Sequence, residues 1–379
     1  MTAVTLSRER ARRLLVAHHG LARDLGRGTT GVRAVLERLR CIQLDPLDVI
    51  GTNADLVVMA RVPDALRGDV WRHLFPRHAF EHFAKERCIL PADAFPWYRA
   101  EGHAAQTSWW RHAERQQRVA PELVAAVLEE IRTRGPISAR DITDHGTVEP
   151  IDWSGWTGTA KATSMALEIL WTQCDVIVAG RTEAGAKIYD VPRWKQDPPS
   201  GDFARWALRE RVRAAGLLTR AGGAMWSMLS VVRTSPLVEA MVADGTLLEV
   251  ALEDSPRRYL AVPELLRARG THDGRVRILG PLDPLLWDRD LVRHVFAFDY
   301  VWEVYKPAPQ RKWGWYVCPL LQGDRLIGRI DARIEKETLV VKKIWLEDRD
   351  ADRDAIRLAL DDHAVRCGAK RAKVTFPRR

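Results

Sequence analysis

The sequence predicts an α+β protein, and three observations carry that prediction. Three short helical patterns followed by an alternating apolar–polar pair of segments, the layout of a winged helix, occupy residues 121–192. The same order of elements, though not the same sequence, returns over 202–263. From Gly274 the chain changes to short strand-like runs closed by a last helix. A length of 379 residues suits roughly two to four such modules.

Residues 7–19 are patterned as a helix. Ser7 is placed to cap it, Glu9 lies in the first turn, and Ala11, Leu14 and Leu15 make an apolar stripe. Beyond Gly26 and Gly28, Val32, Val35, Leu36 and Leu39 recur at i, i+3, i+4 and i+7, which marks a second amphipathic helix. It delivers the chain into Cys41-Ile42-Gln43-Leu44-Asp45-Pro46. In an extended segment alternate side chains share a face. Ile42 and Leu44 therefore anchor one side while Gln43 and Asp45 point together to the other, and Pro46 stops the run. Residues 70–113, rich in His, Trp and Arg and interrupted by Pro76, Pro91 and Pro96, read as short helices.

A helix opens at Pro121, with Leu123, Val124, Val127, Leu128 and Ile131 on it, and closes at Gly135-Pro136. "ISARDITDHG" reads as a short second helix with Ser138 as its cap, and "TAKATSMALEILWTQ" as a third. "DVIVAGRTEAGAKIYDVP" alternates around Gly185 as a hairpin. Pro198–Gly201 is the natural linker to the second unit, whose helices lie in "DFARWALRERVRAAG", "AMWSMLSVV" and "SPLVEAMVADG". Its hairpin is "TLLEVALEDSPRRYLAVP", turning at Asp254–Pro256. The last region holds "RVRIL", "WYVCPLL", "DRLIGRIDARI" and "TLVVKKIWL", with a Gly323-Asp324 turn and a final helix over Ala351–Cys367. It reads as a small antiparallel barrel or sheet with one helix. The implied modules are 1–115, 116–198, 199–272 and 273–379.

Bulk properties narrow the function. The formal net charge is +9. Residues 1–40 carry nine Lys/Arg against three acids, and the stretch from His363 to the end has six and none. An arginine-rich excess held at both ends favours nucleic acid as the partner. No segment approaches the ~20 apolar residues of a membrane span, and the first residues lack a leader pattern, so a cytoplasmic protein is expected. Five single cysteines form no C-x-x-C, which argues against a zinc knuckle or a disulfide framework. His78 and His82 flank Glu81 at i, i+4 but lack the H-E-x-x-H order and a third ligand. Neither a phosphate loop nor a nucleophile elbow is present. No metal or nucleotide cofactor is expected.

Gln43-Leu44-Asp45 and three longer segments resemble the AlkZ/YcaQ-type winged-helix DNA glycosylases. These segments are "AFEHFAKERCILP" (Ala79–Pro91), "KATSMALEILWTQCDVIVAGRTEAGAKIYDVP", and the long stretch Ile278–Lys336. The resemblance implies three tandem winged-helix motifs and a C-terminal β-barrel-like domain in a C shape around duplex DNA. It also implies monofunctional removal of alkylated bases, including release of interstrand crosslinks. The family motif is Gln-Φ-Gln or Gln-Φ-Asp, and Gln43-Leu44-Asp45 has the second form, which points to the YcaQ-like branch and N7-alkylpurines. The chain departs from the family pattern at Gly51-Thr52-Asn53-Ala54-Asp55 and at Lys85, where a histidine is expected; lesion range is expected to be set there.

Gln43 and Asp45 suit this chemistry. An N7-alkylated guanine is a cationic leaving group and needs no general acid. What remains is to bring water to C1′ as an oxocarbenium-like sugar develops, with Asp45 as electrostatic stabiliser and base and Gln43 holding the water. For DNA contact, Lys306, Arg311 and Lys312 beside Trp313 and Trp315 combine cations with aromatics, and Arg181, Arg257 and Arg258 sit in the two hairpins. The alternative has no catalysis: a tandem winged-helix DNA-binding protein or regulator in which Asp45 merely turns the chain before Pro46. A regulator of that kind pairs to read two half-sites, whereas a lesion-seeking enzyme is expected to be a monomer.

Overall fold

The computed structural model describes residues 3–102, 112–151, 158–194, 197, 199–347 and 350–376. The chain is α+β and forms two compact units, Met1–His73 with Ala207–Arg379, and Leu74–Trp206.

In the first unit the N-terminal helix runs Arg8–His18, with the Ser7 hydroxyl accepting from the Arg10 N–H at 3.2 Å. Its buried face, Leu14 and Leu15, joins a core shared with Leu217, Tyr259, Leu291, Val295 and Phe298. Just before it, Val4–Leu6 lies parallel to Leu248–Leu252, which pairs antiparallel with Arg258–Ala261 and through it with Leu218–Thr219. The chain's first strand is thus completed by residues some 240 positions away. The 248–261 hairpin turns where expected, with Asp254 at φ 57°.

The C-terminal strands make one five-stranded sheet that curls into a half-barrel. Val276–Ile278, Val317–Gln322, Arg325–Glu335 and Thr338–Leu346 are successively antiparallel. Arg371–Lys373 adds a parallel edge, which the expectation of an antiparallel sheet did not contain. Register shifts at Leu320/Leu321 and Asp331/Ala332 supply the local bend that curling requires. The helix Arg353–Arg366 contributes Ile356, Leu360 and Ala364 to the core cluster that also holds Ile330 and Ile344.

In the second unit, helices Pro121–Arg134 and Ala162–Thr172 accompany a hairpin of Ile177–Arg181 with Lys187–Asp190. Two expectations fail here. "ISARDITDHG" is not a helix: Ile137–Ser138 pairs with Lys187–Asp190, and the Ser138 hydroxyl turns the chain by bonding the Arg140 N–H and the Asp141 carboxylate. Side-chain bonds of this kind compete with helix formation. Residues 79–91 are not short helices but a hairpin, Ala79–Phe83 with Arg87–Pro91. His82 is consequently a strand residue. It stacks on Trp171 at 4.8 Å and its Nε2–H donates to the Thr172 carbonyl at 3.2 Å, so a helical i, i+4 pairing with His78 does not exist. Among the described residues no three His, Cys, Asp or Glu side chains cluster as metal ligands. All five cysteines are buried free thiols, and no described helix is long and apolar enough to cross a membrane.

Candidate active site

The Gln-Leu-Asp motif sits where the helix Gly28–Leu39 ends. Arg40 adopts the left-handed conformation at φ 63°, and the chain turns into a two-residue strand, Ile42–Gln43. Ile42 is fully buried and Gln43 is 8% exposed, while Leu44 and Asp45 are half-buried. The alternation expected from the sequence therefore extends over only two residues before the backbone leaves the strand.

Asp45 is held in a turn. Its Oδ1 accepts the Leu47 N–H at 2.9 Å. Among the described residues Oδ2 has no hydrogen bond and the carboxylate has no ion pair. Burial pushes its pKa up, and the Leu47 N–H offsets only part of that shift. The carboxylate thus turns the chain with one oxygen and leaves the other without a hydrogen bond among the described residues.

The segment after the motif is tied down on both sides. Leu47, Val49 and Ile50 pack into the core of the half-barrel sheet. The Val49 carbonyl accepts the Ile334 N–H at 3.2 Å, and the Ile50 carbonyl accepts from His363 Nε2 at 2.7 Å. Burial lowers the His363 pKa to about 4, so this donor is a neutral imidazole. Thr52 caps the seven-residue helix Asn53–Met59 in a reciprocal capping box with Asp55, which also accepts the Gly68 N–H at 2.9 Å. Asn53, 1% exposed, clamps the motif strand: its Nδ2 donates to the Gln43 carbonyl at 2.8 Å and its Oδ1 accepts the Leu282 N–H at 3.1 Å. At Gly280 an added Cβ would stand 2.6 Å from Asn53 Oδ1, which makes the close approach glycine-specific. Gly51–Asp55, the stretch that departs from the expected pattern, is therefore the motif's scaffold.

Asn53→Ala leaves a buried carbonyl and a buried N–H unpaired. It is expected to cost about 2–4 kcal/mol in urea unfolding and to slow catalysis through displacement of Gln43. A loss under about 1 kcal/mol would show that the clamp is dispensable.

The residues marked for DNA contact fall into separate groups. Lys306, Arg311, Lys312 and Trp313 share one loop organised by Glu303, whose 1%-exposed carboxylate accepts from Lys306 Nζ at 2.9 Å and from the N–H groups of Lys312 and Trp313 at 3.2 and 2.7 Å. Burial alone would raise the Glu303 pKa, but the Lys306 side chain and these N–H groups outweigh it and hold it at about 2. Arg311 Nε donates to the Lys306 carbonyl at 2.7 Å. Trp313 anchors the loop, with the Arg329 guanidinium 4.0 Å from its ring centroid and Trp345 edge-on at 5.5 Å. The aromatics turned to solvent are Trp315, 39% exposed, and Tyr305, 85% exposed; the sequence reading passed over Tyr305. Arg257 pairs with Asp290 at 2.6 Å and Arg258 lies 3.8 Å from Glu249. In the second unit Arg181 is ion-paired with buried Glu81.

A family model described as DNA glycosylase AlkZ-like matches residues 36–366. The chain belongs to the AlkZ-like DNA glycosylase family. It is therefore a DNA-repair enzyme that binds DNA and hydrolyses N-glycosidic bonds. Its fold is similar to that of the solved Streptomyces sahachiroi DNA glycosylase AlkZ, with a TM-score of 0.59 at 17% identity over 98% of this chain and 100% of that one. The matched region of this AlkZ-like glycosylase takes in the motif, its Asn53 clamp and the Glu303 loop. Of the supporting groups, only the Thr52-x-x-Asp55 capping box had a signal in the sequence. Asn53 and Glu303 act through backbone groups that the sequence does not bring into view.

Proposed function

We propose that this glycosylase hydrolyses the bond between C1′ and N9 of N7-alkylated purines in duplex DNA, with Asp45 and Gln43 as its catalytic pair. The C1′–N9 electron pair departs with the base and neutralises the ring cation, so no acid is needed on the leaving group. Asp45 faces the positive charge that develops on the sugar and takes the proton of the attacking water. Gln43 orients that water. The products are a free neutral base and an intact strand with an abasic site.

The observation that carries this reading is the Asp45 carboxylate itself, half-buried, fixed through one oxygen by Leu47 N–H and without an ion pair among the described residues. A guanine crosslinked through N7 is equally cationic, so the same step unhooks interstrand crosslinks, and the Gln-Φ-Asp form fits a broad, YcaQ-like substrate range. The enzyme works as a monomer on chromosomal DNA, with Lys306, Arg311 and Lys312 on phosphates.

The test is a duplex carrying one N7-methylguanine. Wild-type protein should release free base and leave strands that break only on alkali treatment. Release from unmodified guanine, or strand cleavage without alkali, would overturn the mechanism. So would failure to release base from any N7-cationic lesion.

A further inference from the structure

The core beside the motif holds a hydroxyl without a partner. Tyr316 precedes the strand Val317–Gln322 and is 1% exposed, yet its Oη has no hydrogen-bond partner among the described residues. Buried hydroxyls are normally satisfied, and the nearby Tyr300 follows that rule, donating to the Val317 carbonyl at 2.6 Å. The Tyr316 ring lies in the same core cluster as Ile50, with Leu47 and Val49 packed against that cluster. The backbone that follows Asp45 is therefore docked on the cluster that holds this ring.

The ring is held firmly. Asp331 accepts the backbone N–H groups of Trp315 and Tyr316, and at Gly314, φ 146°, an added Cβ would stand 2.4 Å from Asp331 Oδ2. Burial, then the charges of Cys318, Asp45, Tyr300 and Asp48, push the phenol's pKa up, so it stays protonated and can only be a donor or a neutral acceptor. Of the two carboxylates whose charges act on it, Asp48 is already ion-paired with Arg67. Asp45 has no such partner, and its Oδ2 is uncommitted.

We infer that Tyr316 is a positioning residue whose hydroxyl donates to the uncommitted side of the Asp45 carboxylate in the DNA complex, holding it ionised and aimed at the reacting sugar. Catalytic hydrogen bonds of this kind tighten when substrate closes the site. The inference rests on the role given to Asp45 above.

Tyr316→Phe removes only the hydroxyl. Single-turnover release of N7-methylguanine should fall about tenfold, with affinity for the lesion duplex unchanged. Loss of a donor to a carboxylate raises the carboxylate's pKa, so the acid limb of the rate profile should move to higher pH. Independently of catalysis, carbon NMR of the Asp45 carboxyl, with the protein bound to a duplex holding a tetrahydrofuran abasic analogue, should show a higher titration midpoint in the variant. If wild-type protein releases no base, the proposed reaction falls while the NMR titration still decides the Tyr316 contact. An unchanged midpoint overturns the inference, as does a slow variant whose acid limb stays in place. Should the variant fail to fold, the Tyr316 Cζ resonance compared between wild type and Asp45→Asn makes the same decision, and identical resonances overturn the contact.

Discussion

Asp45→Asn should reduce base release by about 10²–10⁴-fold and at the same time raise the melting temperature at neutral pH. Both effects follow from the same burial. The folded-state pKa of Asp45 lies above its ordinary value because burial disfavours the charge. A carboxyl group raised in this way stabilises the fold fully below its unfolded pKa, and that contribution is lost as pH rises through the folded value. Asparagine mimics the neutral form at every pH and keeps an oxygen for the Leu47 N–H. The variant's gain in melting temperature should therefore be present at pH 7 and vanish below about pH 4. Thermal unfolding across that range, beside glycosylase assays and lesion-duplex binding, checks each part. Base release that survives the substitution would remove Asp45 from the mechanism, and a lower melting temperature at neutral pH would contradict its desolvation.

Asp283→Asn should cost about 3–5 kcal/mol, a large part of the 5–15 kcal/mol typical of a domain. Arg61 and Asp283 are both fully buried and form a two-pronged pair, Nη1 to Oδ2 at 2.7 Å and Nη2 to Oδ1 at 3.0 Å. The guanidinium also donates from Nε to the His19 carbonyl at 2.7 Å and from Nη1 to the Val57 carbonyl at 2.8 Å. Burial lowers the His19 pKa to about 3, so the imidazole beside the pair is neutral and does not offset a lost carboxylate. Removing Asp283 strands a full positive charge in the core, whereas removing both charges does not. The double variant Arg61→Met/Asp283→Leu should recover most of the loss, because replacing both members of a buried pair by apolar groups is often close to neutral. Urea unfolding of the single and double variants reads both values, and a single-variant loss under about 1 kcal/mol would mean that solvent reaches the pair.

Local pattern accounts well for elements that bury one face. The N-terminal helix, with its Ser7 cap and the Leu14–Leu15 stripe, lies where the sequence put it. So do the hairpins at Gly185 and Asp254 and the final helix, Arg353–Arg366. The pattern failed where a strand is buried on both faces. All five residues of Ala79–Phe83 are buried, so no alternation marks it as a strand. Its polar members find partners far along the chain, Glu81 in Arg181 and His82 in the Thr172 carbonyl.

The candidate site divides along the same line. The Gln-Leu-Asp motif and the Thr52-x-x-Asp55 cap are local, because each is a contact within a few residues and is visible as spacing. The sequence by itself also determined the α+β class, the family resemblance and the presence of an amide and a carboxylate two residues apart. The surroundings of these two residues were decided only by tertiary structure. Asn53 reaches Leu282, His363 reaches Ile50, and Tyr316 joins the core around Leu47. Each link spans more than 200 residues, and at that range one-dimensional spacing holds no information about distance. Burial is likewise a property of the assembled core, and burial is what lifts the pKa of Asp45 and leaves the Tyr316 hydroxyl for the carboxylate.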